Sequence, residues 1–199
     1  MVDSEATRPS LLARIRDPQD RQAWQEFVQI YAPLVYRFAQ KRGLQDADAA
    51  DVTQEVLRAV ARAAPRLEYD PARGSFRGWL FTIVRNELRD FASGQRRRSV
   101  GSGDTDQQRR LEQFPAPDEG DEQALWDREF ERQLFTWAAG QVRGDFQEST
   151  WRAFWLTAVE GKSGKEAARV LGLTAAGVYL AKRRVMVRIK EEIERHRAE

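Results

Sequence analysis

Two basic blocks and one acidic block contain the residues whose types and spacing could do chemistry. Residues 162–190 hold eight basic side chains and one acidic one, a net charge of +7, and residues 76–98 hold six arginines and two acids, a net charge of +4. Residues 99–131, which lie between these two blocks, carry ten acids and three arginines, a net charge of −7. Basic blocks of this kind attract phosphate backbones. A solvated helix surface is the alternative for either basic block alone.

The C-terminal basic block contains the clearest local motif, SGKEAARVLGLTAAGVYLAKRR at 163–184. Gly172 suits the left-handed conformation of a tight turn, Thr174 can cap the helix that follows, and the small Ala167 and Ala168 let two helices cross closely. A small core is expected from Leu171, Leu173 and Val178. The pattern predicts a helix-turn-helix whose second helix enters the major groove of DNA. The alternative is a plain helical hairpin with glycine at its turn. The side chains expected to face DNA are Ala175, Ala176, Tyr179, Lys182 and Arg183.

Enzyme chemistry has little support in the sequence. There is no cysteine, and the single histidine, His196, lies in a charged C-terminal tail where no Ser-His-Asp arrangement can be assembled around it. Gly161, Lys162 and Ser163 resemble the end of a phosphate-binding loop, but the earlier glycine and the preceding strand are missing. We therefore expect no enzyme, no catalytic residue, no bound metal and no cofactor.

The elements that must position these residues all follow a helical pattern. Apolar residues recur at spacings of three and four, and no stretch alternates like a strand. We expect a helical hairpin interrupted near Pro33 and ended by Gly43, a helix over about 46–64, and a long helix from Phe76. The buried stripe of the second helix is expected to be Val52, Val56, Leu57 and Val60.

A change of composition divides the chain. Residues 93–120 are rich in glycine, serine, proline and acids, and they offer almost nothing to bury, which is typical of a flexible linker. The sequence therefore predicts an all-α protein of two helical domains, 1–95 and 121–199, joined by a flexible acidic linker over 96–120. The second domain ends in the helix-turn-helix.

The location of the protein is expected to be the cytoplasm. The N-terminus has neither the basic start nor the apolar stretch of a signal peptide, and no apolar run approaches the roughly 20 residues that span a bilayer. The lack of cysteine fits a reducing compartment. No membrane partner is expected.

Three stretches of the chain carry a family resemblance: DAADVTQEVL at 48–57, FRGWLFTIVRNELRDF at 76–91 and the helix-turn-helix at 163–184. In this order they resemble the extracytoplasmic-function (ECF) class of bacterial RNA polymerase sigma factors. The first resembles the helix that docks on core polymerase, and the second resembles the helix that melts and reads the minus-ten element. The helix-turn-helix resembles the module that reads the minus-thirty-five element. The resemblance covers roughly 20–95 and 121–195, and it implies core polymerase and promoter DNA as partners. Many members are also held by an anti-sigma factor.

The resemblance assigns roles to particular residues. The polar face that suits an arginine-rich polymerase interface is formed by Asp48, Asp51, Gln54 and Glu55. A solvated surface or a carboxylate metal site are the other interpretations of that face. Minus-ten DNA is assigned to Arg77, Phe81, Arg85, Asn86 and Arg89. Trp79 falls on the apolar stripe and is expected in the core rather than against a base, whereas Asn86 and the loop 66–75 are the candidates for holding a flipped base.

The second helix of the helix-turn-helix departs from the family pattern. Tyr179 follows Val178 where the family usually has a basic residue, and the positive charges come later. We therefore expect Tyr179 to make apolar or backbone contact, Arg183 to contact a base, and Lys182 and Arg184 to contact phosphates. The full set assigned to minus-thirty-five DNA is Thr174, Ala176, Tyr179, Lys182, Arg183 and Arg184.

A conventional transcriptional regulator is the alternative function. Such a protein would bind an operator through its helix-turn-helix without core polymerase. A receiver domain would need alternating strands and helices, which the pattern does not contain. Two separate basic blocks also fit contact with two DNA elements better than contact with one operator half-site.

Overall fold

The computed structural model describes residues 9–67, 75–102 and 119–198, and the regular structure within these ranges is entirely helical. The predicted all-α class is confirmed. In chain order the helices are α1 (Pro9–Arg14), α2 (Arg21–Lys41), α3 (Asp46–Ala63), α4 (Phe76–Ser102), α5 (Glu119–Val142), α6 (Glu148–Ala158), α7 (Gly164–Leu171) and α8 (Ala175–Ala198). Short 3-10 turns lie at Ala64–Arg66 and Arg143–Asp145. Within the described ranges, no helix is long and apolar enough to cross a membrane.

The chain divides into two compact units, and the boundary between them falls within α5. The first unit extends to Gln133, and the second covers Leu134–Arg197. The N-terminal half of α5 thus belongs to the first unit, although the sequence grouped residues from 121 onward with the C-terminal domain. The division into two functional domains, 1–95 and 121–199, with a linker over 96–120, stays a prediction. Part of the expected linker is helical, since 96–102 lie in α4 and 119–120 in α5; residues 103–118 lie outside the described ranges.

Helix α2 is continuous, so the predicted interruption near Pro33 is wrong. A proline inside a helix removes one backbone hydrogen bond and costs about 3 kcal/mol. Near Pro33, however, Ile30, Leu34 and Val35 are fully buried, and burial of each such side chain stabilises the fold by about 1.5–3 kcal/mol. A continuous helix keeps these three residues in the core. The predicted end is confirmed, because Gly43 has a φ of 90° and its amide donates to the Gln40 carbonyl oxygen at 2.8 Å.

The first unit is built around the buried faces of α2, α3 and α4. Val52, Val56 and Val60 of α3 are buried as predicted, whereas Leu57 is half-buried. Helix α4 begins at Phe76 as predicted, and the Phe76 ring lies 5.3 Å from the Tyr31 ring of α2. This packing fixes the outward faces of α3 and α4.

The second unit places α7 and α8 around a three-residue turn. Gly172 has a φ of 66°, which is the left-handed conformation predicted for it. Ala167 and Ala168 are buried as expected, together with Val178. Leu173, which was predicted in the small core, is instead 40% exposed, because its position just after the glycine turns its side chain away from the helix crossing.

Candidate nucleic-acid and polymerase interfaces

The polar face of α3 is open to solvent. Asp51, Gln54 and Glu55 are exposed and Asp48 is half-buried, on the side away from the buried valines. The Arg58 guanidinium forms an ion pair with Glu55 and donates to Gln54 at 3.5 Å. Within the described ranges, no group of three acidic or histidine side chains is placed to hold a metal ion.

The acidic surface continues from α3 onto α4, which the sequence analysis did not anticipate. Burial raises the pKa of the Glu87 carboxyl, and the nearby carboxylates of Asp90 and Glu55 raise it further, while Arg62 opposes them. Periodicity alone could not show this, because it does not tell which faces of two helices come together.

The five α4 residues assigned to minus-ten DNA fall on two faces of the helix. Arg77, Phe81 and Arg85 are spaced four residues apart and form one stripe, which we call the arginine face. Asn86 and Arg89 lie on a different side and are exposed. Trp79 is half-buried, with its ring 5.3 Å from Phe76. The loop 66–75 lies largely outside the described ranges.

The arginine face is covered by residues 119–133 of α5, which we call the docked segment. Arg77 Nε lies 3.3 Å from Asp127 Oδ1, and its guanidinium lies 5.6 Å from the centre of the Phe130 ring. Arg85 Nε lies 3.7 Å from Glu122 Oε2. Phe81 is only 5% exposed. In this conformation, the stripe contacts protein rather than solvent.

Basic residues of α2 contact the same docked segment. Lys41 Nζ donates to Glu129 Oε1 at 2.5 Å, and Arg42 Nε lies 3.5 Å from Glu122 Oε1. Arg37 lies near Glu129 and donates to Gln133. Burial lowers the pKa of the Arg37 guanidinium, and Glu129 partly offsets this effect. We call Arg37, Lys41 and Arg42 the basic rim. Sequence reasoning missed it, although the acids of 119–131 signal a basic partner.

An aromatic anchor completes this contact. Trp126 is fully buried, with its ring 5.6 Å from Phe81 and 5.2 Å from Phe38. The docked segment thus combines this buried indole with the paired acids at 122, 127 and 129. The arrangement presents negative charge to arginines and an aromatic ring to Phe81.

Helix α7 begins with a complete capping box. The Glu166 amide donates to Ser163 Oγ at 3.3 Å, and the Ser163 amide donates to the Glu166 carboxylate at 2.8 Å. The Ser163 hydroxyl also donates to the Glu166 carboxylate at 2.7 Å. This bond is the largest cause of the lowered pKa of the Glu166 carboxyl, and the bond from the Ser163 amide is the next. The Gly177 amide donates to Thr174 Oγ1 at 3.1 Å, so Thr174 caps α8 as predicted. The two caps fix where each helix begins.

The side chains assigned to minus-thirty-five DNA lie mainly on the outer side of α8. Tyr179 is 60% exposed, Lys182 is half-buried, and the others in the set are exposed, namely Thr174, Ala176, Arg183 and Arg184. Three other charges of the +7 block are paired with acids: Lys162 with Glu160, Arg188 with Asp145 and Glu192, and Lys190 with Glu194. The other five basic residues of the block lie on α7, at Lys165 and Arg169, and near the middle of α8, at Lys182, Arg183 and Arg184.

The chain is similar to one protein family and to two sigma factors. Residues 27–98 match the family Sigma-70 region 2. The chain is 37% identical over 81 residues to the ECF RNA polymerase sigma factor RpoE of Cereibacter sphaeroides, an alignment that covers 41% of this chain and 44% of that protein. It is 27% identical over 195 residues to the ECF RNA polymerase sigma factor SigE of Mycolicibacterium smegmatis, covering 98% of this chain and 71% of that protein.

One solved structure is also similar over most of the chain. The structure of CnrH in complex with the cytosolic domain of CnrY covers 93% of this chain and 96% of that one, with 22% identity and a TM-score of 0.36. Of the two sigma factors, this chain spans 44% of the length of the first and 71% of the length of the second.

Proposed function

Because the chain belongs to the ECF class of RNA polymerase sigma factors, we propose that it binds core polymerase and directs the start of transcription at promoters. The observation that carries this proposal is the exposed acidic face of α3, which lies within the matched residues 27–98. Asp51, Gln54 and Glu55 present carboxylate and amide oxygens without occupying the buried stripe. Such oxygens accept paired hydrogen bonds from arginine.

Contact with minus-ten DNA is assigned to both faces of α4. Asn86 and Arg89 are exposed, so an unstacked base can reach an amide and a guanidinium one helical turn apart. Arg77, Phe81 and Arg85 supply a further basic and aromatic stripe. Single-stranded DNA is held by this combination of positive charge and aromatic stacking.

Contact with minus-thirty-five DNA is assigned to α8. Its capped N-terminus and exposed middle suit insertion into the major groove, where side chains near the start of a recognition helix meet base edges. Arg183 is the proposed base contact, while Lys182 and Arg184 are the proposed phosphate contacts. Tyr179 contributes apolar contact.

The test is transcription in vitro with purified core polymerase and genomic fragments. We expect specific transcripts only when this protein and core polymerase are both present, with weak promoter binding by the protein alone. Tight binding of the free protein to an operator-like site, without core-dependent transcripts, would instead indicate a helix-turn-helix regulator that acts without core polymerase. An anti-sigma factor stays a proposal from the resemblance, and co-purification of the full chain from its native host tests it.

A further inference from the structure

The docked segment matches the chemistry of single-stranded DNA on the arginine face. Asp127 and Glu122 lie next to Arg77 and Arg85, where phosphates would be bound, and the Trp126 ring lies at 31° to the Phe81 ring, as a stacked base could. Phosphate-like charge and a flat aromatic ring are the two elements by which single strands bind proteins. One surface therefore fits two occupants that cannot be present together.

Many opposite charges meet where the docked segment contacts α2 and α4. Three acids of the docked segment meet five basic residues, which are the basic rim together with the two arginines of the arginine face. Glu129 is 2% exposed and Glu122 is 8% exposed. Carboxylates are rarely so buried unless they are paired, so the basic residues hold this segment in place.

The contact is also imperfect. Within the described part of the chain, Trp126 Nε1, Arg42 Nε and Glu129 Oε2 are buried without a hydrogen-bond partner. Arg42 Nε and Glu129 Oε2 lie within ion-pair distance of an opposite charge but not in hydrogen-bond geometry. Native cores satisfy almost all such atoms. A contact surface that contains several unsatisfied polar atoms is easier to open than a permanent core.

We propose that the docked segment is an autoinhibitory element that covers the arginine face and must leave before Arg77, Phe81 and Arg85 contact DNA. This inference rests on the proposed minus-ten role of α4. While the segment is docked, Phe81 is buried and both arginines bind carboxylates, so the free protein has low affinity for single-stranded DNA. The apparent affinity for DNA equals the affinity of the open state multiplied by the fraction of molecules in that state.

The experiment compares two matched variants of the full chain. Glu122→Gln with Asp127→Asn removes two carboxylates that contact the arginine face and rim, whereas Asp121→Asn with Glu131→Gln removes two exposed carboxylates of the same helix. The probe is a fluorescein-labelled single-stranded DNA of random sequence, followed by anisotropy at one salt concentration. We expect about ten-fold tighter binding for the first variant, within the usual range of coupling between sites, and at most a small change for the second. Equal affinity of the two variants would overturn the proposal.

Two further measurements separate the inference from the proposed function. Adding Arg77→Ala and Arg85→Ala to the first variant should abolish its gain. Hydrogen exchange in residues 122–133 of the wild-type chain should accelerate when the probe saturates it, and protection that is unchanged by bound probe contradicts displacement. If Arg77→Ala with Arg85→Ala lowers core-dependent transcription while the first variant shows no gain, only the autoinhibition fails. If those arginine changes leave transcription unaffected, the minus-ten role of the arginine face fails and the inference fails with it.

Discussion

The Tyr179 ring of α8 lies directly against the backbone of Gly164, the first residue of α7. A Cβ atom placed at residue 164 would lie 2.7 Å from Tyr179 Cζ and 2.9 Å from its hydroxyl oxygen. Gly164 is buried although Tyr179 is 60% exposed. The tyrosine therefore joins the two helices on one side and faces solvent on the other.

Replacing Gly164 with alanine should destabilise the second unit. The added methyl group forces the Tyr179 ring out of its position. Because the atoms it meets belong to the far end of an exposed side chain, the cost is at the low end of overpacking, about 1 kcal/mol. The measurement is thermal unfolding of the full chain, with hydrogen exchange in α7 to locate the effect. Gly140→Ala is the matched control, since a Cβ there meets nothing within 4 Å, and within a helix it should stabilise by about 0.5–1 kcal/mol. Full rescue of Gly164→Ala by adding Tyr179→Ser would identify the ring as the cause, whereas an unchanged melting temperature for Gly164→Ala would contradict the close contact.

Reversing Asp51 and Glu55 to lysine should abolish binding to core polymerase while helix content stays unchanged. Removing carboxylates from a charged interface costs about 2–5 kcal/mol, and both residues are exposed, so the fold does not depend on them. The measurement is a pull-down with purified core, together with circular dichroism. The control variant reverses Asp121 and Glu191, which are also exposed. Undiminished core binding by the Asp51 and Glu55 variant would disprove the assignment of this face.

Replacing Arg183 with alanine should relax sequence preference at one promoter position. An arginine that contacts a guanine edge contributes about 1–3 kcal/mol of discrimination, whereas Lys182→Ala should weaken all promoters alike. The measurement is transcription from a library of upstream promoter sequences. Lys190→Ala, whose side chain is paired with Glu194, is the control and should change little. A uniform loss for Arg183→Ala would make Arg183 a phosphate contact, and no effect of Arg183→Ala or Lys182→Ala would mean that α8 is oriented differently.

Acid should weaken the start of α7 through the capping box. The pKa of the Glu166 carboxyl is lowered in the folded chain by the Ser163 hydroxyl and amide. A carboxyl with a lowered folded pKa adds stability above its ordinary pKa, and that stability is lost as the pH falls through the lowered value. Hydrogen exchange of the α7 amides against pH measures this, with Glu166→Gln as the variant. The variant should show a smaller loss of protection on acidification than the wild-type chain, and identical pH profiles would count against the cap as a source of stability.

Local chemistry determined much of this protein in advance. The spacing of apolar residues predicted the helices and the buried stripe of α3, because one face of a helix must meet the core. Gly43 and Gly172 predicted positive φ angles where helices end, and Thr174 predicted a cap. Such features depend on a residue and its near neighbours, so a single sequence contains them.

Tertiary packing decided the rest. Continuity through Pro33 depends on burial on both sides of the proline, and the exposure of Leu173 depends on where two helices cross. The basic rim and the covered arginine face depend on α5 lying across α2 and α4, almost 90 residues apart in sequence from Lys41 to Glu129. From the charge blocks, nucleic acid was the predicted partner of residues 76–98, with a solvated surface as the alternative, and no partner was predicted for the acidic residues 99–131. Since carboxylates and phosphates bind arginine alike, only the folded chain could show which of them occupies that surface.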